Sequence, residues 1–349
     1  MPQWQPDKSG RLSGEAYQEH ILQGVSRTFA LTIPQLPEGL RQPVSNAYLL
    51  CRIADTIEDE PALSGEQKRY FSQQFIRVVA GEVPAKTFTG EFYPLLSEQT
   101  PDAEKDLIRH VPQVIGITLS FSANQRAAML RCVRIMANGM ARFQLNPSPY
   151  GLKDLPQLDS YCYHVAGVVG EMLTELFCDY SEEIRKNRET MLKLATSFGQ
   201  GLQMTNILKD IWEDRSRGAC WLPRDIFREC GFELKNLSKD GHDPAFAAGL
   251  EKLIAIAHAH LRNALAYTLL IPRYETGIRK FCFWALGMAV LTLRKISANR
   301  AFTSGNEVKI SRRAVKATIL ATQLTVGSDA MPRWLFNMTA LGLPRAASL

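Results

Sequence analysis

Aspartates recur four residues apart in two places: Asp55 and Asp59 within Asp55-Thr56-Ile57-Glu58-Asp59, and Asp210 and Asp214 within Asp210-Ile211-Trp212-Glu213-Asp214. Both segments lie in helical patterns, and on a helix this spacing stacks two carboxylates on one face, one turn apart. Like charges so placed repel, so the arrangement works against the helix unless a cation compensates. Two such faces opposed across a cavity would cradle a divalent cation, and hard oxygen ligands that leave room for water and phosphate suit Mg²⁺. The expected chemistry is that of diphosphates.

Neighbouring residues extend each cluster. Gln203, Asn206, Asp210 and Asp214 fall at i, i+3, i+7 and i+11, which predicts one continuous polar stripe on a helix that also carries Leu202, Ile207 and Leu208. Amides and carboxylates facing a core need partners, so the stripe reads as ligand-facing rather than as a solvated face. Arg52 lies one turn before Asp55, after the apolar run Ala47-Tyr48-Leu49-Leu50-Cys51. There it either contacts a diphosphate oxygen or holds Asp55 by a charge-assisted bond.

A third segment, Tyr161 to Gly170, combines phenols, a histidine and small residues. Gly167 and Gly170 leave space either for a bulky ligand or for close helix contact. The Tyr161 hydroxyl could pass a proton, and its ring could steady a carbocation. His164 has no partner at metal-ligand spacing and reads as a hydrogen-bonded core histidine. No GxGxxG, Walker loop, GxSxG or paired-cysteine site occurs, which removes the usual nucleotide, hydrolase and zinc readings.

The elements that must position these residues are helices. Apolar residues recur at helical spacing through nearly every long segment, so the expected fold is all-α, in a single domain over 1–349. Helices are expected near 12–24, 38–59, 64–80, 103–119, 123–145, 156–181, 184–214, 224–230, 243–271, 274–297, 309–326 and 328–340, and the Pro- and Gly-containing stretch 81–102 is expected to be irregular. At 349 residues and 46% hydrophobic content the chain can bury a substantial core. Its formal charge of +6 comes without any block of five basic residues, so an anionic substrate or a membrane surface is expected rather than nucleic acid.

Seven scattered cysteines without a CxxC pair, together with a polar Met1–Gly10, point to reduced thiols and a cytoplasmic setting, with peripheral membrane contact left open. The longest apolar run, Phe281 to Leu293, has 13 residues and is shorter than the roughly 18 to 20 of a spanning helix, so a buried helix without a membrane anchor is expected.

Taken together, Ser26-Arg27-Thr28-Phe29, Tyr48 to Asp59, Tyr161 to Gly170, Gln203 to Asp214, Trp221-Leu222-Pro223 and Phe281 to Leu293 resemble the squalene/phytoene synthase family of the all-α isoprenoid-synthase fold. The likeness runs roughly from Gly24 to Met338. Tyr161 to Gly167, the segment after Phe281-Cys282, and Val308-Lys309-Ile310 resemble the squalene-forming branch more than the carotenoid-forming one. The resemblance implies condensation of two farnesyl diphosphates to presqualene diphosphate, then NADPH-dependent rearrangement to squalene. The same likeness implies that Asp55, Glu58, Asp59, Asp210 and Asp214 bind Mg²⁺ with the diphosphate and that Ser26, Arg27 and Arg52 hold diphosphate oxygens, with Phe29, Gln203 and Asn206 also at the substrate. Tyr161 would handle the proton and Phe281 would line the cation pocket. Lys209, Lys309 and Arg312, with Arg27 and Arg52, would meet the NADPH.

Three positions depart from the family pattern. Lys209 replaces an arginine, which keeps the charge and loses the bidentate fork. Ser311 stands where a basic residue is common, and Ala285-Leu286 replaces a Pro-Gln step of eukaryotic members. The alternatives at this level are an enzyme that makes dehydrosqualene, phytoene, presqualene diphosphate or hydroxysqualene without a reductant, and a non-catalytic helical scaffold.

Overall fold

The computed structural model describes residues 14–26, 28–144, 148–238 and 243–346. Among these the regular structure is helical, with one isolated bridge between Leu152 and Pro223. The chain groups into two compact units, one drawn from residues up to 145 together with Met172–Arg185, the other from 146–171 together with the residues from 186 onward.

In the first unit the helix Glu38–Asp59 is central. Leu40, Leu49, Leu50, Ile53 and Ile57 on it are fully enclosed, so burial rather than propensity holds it, even with Pro43 in its second turn. It is tied to its neighbours by a buried polar chain: Gln18 donates to Asn46 at 2.8 Å, and Asn46 donates to Thr118 at 2.7 Å. Each group in that chain has a partner, which avoids the penalty of an unpaired buried amide. The stretch expected to be irregular instead contains the helix Ala85–Phe92, entered from Pro84. Phe88 and Phe92, one turn apart, are both buried and pack with Phe71, and Phe88 also packs with Phe75. Here the apolar pair overrides the turn-forming composition. The expected single helix over 103–119 is two, Asp102–Arg109 and Val111–Ser120, because His110 leaves helical geometry ahead of Pro112, which has no N–H to continue the ladder.

The second unit is built on Arg188–Lys209, which packs against Pro244–Leu270 and Thr276–Ala298. Thr276–Ala298 is long and apolar enough to cross a membrane by length and composition, yet Phe281, Trp284, Leu286, Val290 and Leu293 on it are buried against protein. A buried polar group also sits between Arg188–Lys209 and Pro244–Leu270, where Ser197 and the His260 Nδ1 are 2.8 Å apart and Asn263 donates to Ser197 at 3.0 Å. Burial pushes the His260 imidazole down to about 4. All seven cysteines are free of disulfides.

Candidate active site

Asp55, Glu58 and Asp59 occupy the last two turns of Glu38–Asp59, at the negative end of the helix dipole and without a basic residue in the final turn. The Asp55 side chain is 31% exposed. Burial raises its pKa well above the ordinary carboxylate value, and Asp59, Glu58 and Glu104 push it the same way against the opposing Arg52. Arg52 Nη1 stands 3.8 Å from Asp55, while its Nη2 is held by Glu104. Glu104 is buried and also accepts from Thr56 at 3.0 Å. Arg52 thus braces the motif from within. Neither Glu104 nor Thr56 stands out in the sequence, although Thr56 lies one helical turn after Arg52.

Lys68 donates to the carbonyl of Glu58 and so covers part of the helix end. Burial lowers the Lys68 pKa, with Glu58, Asp59 and Glu60 opposing. The next residue, Glu60, is buried and accepts from Thr100, Ala62 and Ser97. Burial alone would raise its pKa, but these hydrogen bonds outweigh that and hold it below the ordinary value.

The second motif is built differently. Arg188–Lys209 stops at Lys209, Asp210 takes a φ of −100° and ψ of 17°, and a new short helix Ile211–Ser216 follows. The expected continuous stripe is therefore bent at Asp210, and the ladder passes through it: the Asp210 N–H donates to Asn206 at 2.8 Å and the Asp214 N–H to Asp210 at 2.9 Å. Gln203 is half-buried, whereas Asn206 is exposed and does not face a core. Lys209 pairs with Asp210 at 3.1 Å, and Arg217 pairs with Asp214 at 2.7 Å. Burial still raises the Asp214 pKa, with Arg217 opposing and Asp210 and Glu213 adding to it.

Two residues of this motif anchor the chain rather than face the stripe. Glu213 accepts from the Gly305 N–H at 2.9 Å, and Trp212 donates to the Phe302 carbonyl at 2.6 Å. A Cβ at Gly305 would approach the Lys209 carbonyl to 3.0 Å, a tight contact that a larger residue could make only if the neighbouring backbone gave way. Together these contacts fix the segment that leads to Lys309 and Arg312, both of which are exposed. Arg312 opens the helix Arg312–Thr325, capped by Ser311, whose hydroxyl accepts from Ala314 at 3.2 Å. The departure at Ser311 thus has a local use as a cap.

Tyr161 lies in the last turn of the helix Leu155–Cys162 and stacks on Trp221, with ring centroids 4.0 Å apart and planes 7° from parallel. Trp221 is placed by the bridge beside it: Leu152 donates to Leu222 at 2.9 Å, and Gly151, at φ +96°, would put a Cβ 2.6 Å from the Leu222 carbonyl. Directly after Tyr161 the helix widens into one π turn, Tyr163–Gly167, before resuming at Val168, a geometry found often at functional sites. Of the two readings of the glycines, close helix contact holds for Gly170, since a Cβ there would meet the Ala195 carbonyl at 2.3 Å. Gly199 answers it from the facing helix, 2.2 Å from the Ala166 carbonyl on the same test. The His164 Nδ1 lies 2.7 Å from the Ser160 carbonyl, in keeping with a hydrogen-bonded histidine.

Of the remaining expected residues, Ser26 accepts from the Phe29 N–H at 3.0 Å, and Phe29 lies against Tyr48 with centroids 4.8 Å apart. Tyr48 in turn donates to the Val25 carbonyl at 2.9 Å. Phe281 is 5% exposed. Arg27 lies outside the described residues. Among the described residues no three His, Cys, Asp or Glu side chains converge into a ready metal cage. Mg²⁺ ordinarily keeps several waters and is held through one or two carboxylates plus substrate phosphates. The donor set at Asp55, hard oxygens in a partly buried site with its pKa raised first by burial and then by neighbouring carboxylates, is chemically matched to such a cation.

The helices and their acidic ends define an all-α protein of the isoprenoid-synthase fold. The structure of TcSQS in complex with the ligand BPH1237 matches over 96% of this chain and 94% of that one, with a TM-score of 0.74 at 22% identity. The chain belongs to the squalene/phytoene synthase family, whose sequence pattern matches residues 22–314. Among curated relatives, Botryococcus squalene synthase from Botryococcus braunii is 29% identical over 285 residues, covering 80% of this chain and 58% of its own length. Squalene synthase ERG9 from Gibberella zeae is 29% identical over 289 residues, covering 82% and 59%. The chain therefore spans less than two thirds of the length of these relatives.

Proposed function

We propose that the chain joins two farnesyl diphosphates head to head into presqualene diphosphate and then reduces that intermediate to squalene. The relatives named squalene synthase support the overall reaction. The observation that carries it is Asp55: a carboxylate at the negative end of a helix, crowded by Asp59, Glu58 and Glu104, with its nearest cation already committed to Glu104. A cluster that the helix disfavours is understandable if it serves a bound cation.

In this reading Asp55, Glu58 and Asp59 hold Mg²⁺ with a diphosphate on the first motif, and Asp210 and Asp214 do so on the second. When bound, Mg²⁺ supplies charge neutralisation for the departing diphosphate, and NADPH supplies the hydride. The protein positions the rest. Ser26, with Arg27 and Arg52, orients diphosphate oxygens, and Phe29, Gln203 and Asn206 border the substrate. The Tyr161 ring, held flat by Trp221, and the buried Phe281 present π faces that stabilise positive charge without adding a nucleophile. In the first half one diphosphate and one proton are lost as the cyclopropane closes, and the Tyr161 hydroxyl handles that proton. In the second half the remaining diphosphate is exchanged for hydride. Lys309 and Arg312, exposed and next to a capped helix start, suit a phosphate-bearing cofactor, whereas Lys209 and Arg52 are already paired with Asp210 and Glu104 and act there as secondary contacts.

The test is product analysis after incubation with farnesyl diphosphate and Mg²⁺, with and without NADPH. Squalene only in the presence of NADPH is the expected result. Dehydrosqualene, hydroxysqualene or presqualene diphosphate whether or not NADPH is present would reassign the second half, and absence of any coupled product would reject the activity.

A further inference from the structure

Helices Arg312–Thr325 and Ala330–Thr339 pack over Thr276–Ala298 and leave an outer face that is unusual for its exposed apolar content. Leu320 and Leu324, one turn apart, are 57% and 78% exposed. Met331, Trp334, Met338 and Leu341, at i, i+3, i+7 and i+10, continue the face at 47%, 56%, 49% and 68%. Large side chains exposed singly need no explanation, but five in two adjacent helical stripes, with Leu341 in the turn that follows, mark an interaction surface.

Three further observations choose the partner. First, the charge around the face is of one sign: Asp329 is the sole carboxylate from Lys309 to Ala346, and it is bound to Arg273 and Arg279. Arg313 and Lys316, seven and four residues before Leu320, Arg333 beside Trp334, and Arg345 four residues after Leu341 are all exposed. Second, the residues are those of an interfacial helix, with tryptophan, methionine and leucine flanked by arginine and lysine. Third, an apolar slot of about 340 Å³ runs beneath the face, floored by Phe283, Leu286 and Val290 and walled by Ala317, Ala321 and Leu335. The lining threonines Thr318, Thr325 and Thr339 each donate to a carbonyl of their own helix, at 3.0, 2.7 and 2.7 Å, so the slot makes no polar demand on an occupant.

We propose that this face docks on the surface of an anionic lipid bilayer, with Leu324 and Trp334 entering the acyl boundary, the cations meeting lipid phosphates and the slot open to a hydrocarbon chain. The inference rests on this surface alone and stands or falls separately from the catalytic reading. A lipid surface satisfies the apolar stripe and the cationic rim together; a second copy of the chain would bring the same positive rim against itself.

The experiment is co-sedimentation of the full chain with phosphatidylcholine vesicles, with and without about one third phosphatidylserine. The protein is expected to sediment with the phosphatidylserine vesicles and to be released by high salt. Leu324→Ser with Trp334→Ser should lower the partition at least about tenfold with an unchanged melting curve, and Arg313→Gln with Lys316→Gln should lower only the phosphatidylserine-dependent part. In the unaltered protein the same vesicles should slow peroxide oxidation of Met331 and Met338, a readout that needs no variant to fold. Protein left in the supernatant with both vesicles at low salt, unchanged oxidation of the two methionines, or substitutions that leave vesicle binding intact would each overturn the proposal. So would a wild-type dimer that the substitutions split while vesicle binding is absent, since the face would then belong to a second copy.

Discussion

The two acidic motifs share a spacing and are supported in opposite ways. At Asp55 the helix runs unbroken to its end, and the motif is braced by one internal cation, Arg52, which a buried Glu104 holds from the other side. At Asp210 the helix breaks, and each aspartate has a cation of its own: Lys209 for Asp210 and Arg217 for Asp214. The first is thus a crowded cluster in a rigid frame, the second a set of paired carboxylates at a bend. The comparison teaches that i, i+4 spacing specifies which residues are neighbours along a helix but not whether the helix survives between them. It also places the larger electrostatic cost on the first motif.

That difference can be tested by substitution, starting with the largest effect. Asp55→Asn is expected to lower turnover of farnesyl diphosphate about a thousandfold, the scale for losing a metal ligand that stabilises developing charge. Asp210→Asn should lose roughly tenfold less, because Lys209 remains to hold the local charge balance; equal losses would erase the asymmetry. Tyr161→Phe keeps the stack on Trp221 and removes the hydroxyl, so a loss of about a hundredfold in presqualene diphosphate formation is expected, with normal formation reassigning the proton step.

Stability should follow the same asymmetry. Glu104→Gln removes the buried partner of Arg52 and should cost about 2 kcal/mol in chemical denaturation, below the usual range for a fully buried pair because Arg52 is 26% exposed. Lys209→Ala breaks a half-exposed pair and should cost less than about 1 kcal/mol.

Acid should separate the two units as well. The folded pKa of His260 lies at about 4, below its unfolded value, so the unfolded chain binds more protons and stability falls as pH drops from about 6.5 towards 4. The accumulated loss is up to about 3 kcal/mol at the acid end. Glu60, whose pKa is depressed, stabilises above its unfolded value and loses that contribution only as pH falls below about 4.5 through its folded value. Hydrogen exchange on lowering the pH should therefore rise around His260 before it rises around Glu60, and simultaneous loosening would contradict these assignments.

Much of the frame is legible from apolar period and turn residues. The helix expected over 38–59 is Glu38–Asp59, and that expected over 123–145 is Ala123–Gln144, because both present a continuous apolar face bounded by turn residues or proline. What local pattern hides is long-range compensation. Ala85–Phe92 is helical because Phe88 and Phe92 find Phe71, a contact made after the chain has folded back. The π turn after Tyr161 and the break at Asp210 each interrupt a pattern that reads as continuous. Asn206 keeps helical register with Gln203 and yet emerges exposed. The carboxylates themselves are visible as a spacing, but Glu104, which holds Arg52 from 52 positions away, lies in no motif, and Thr56 and Trp221, although inside recognisable segments, show nothing in their spacing of the contacts they make with Arg52 and Tyr161.

We propose that the Asp55 cluster serves a bound cation and works against the fold that carries it. The direct measurement is the melting temperature of Asp55→Asn against the unaltered protein, both stripped of divalent metal by a chelator. Relief of burial and like-charge crowding should raise the melting temperature of the variant by about 2–4 °C. A fall of several degrees would mean that Asp55 is a structural carboxylate that stabilises the fold and does not burden it.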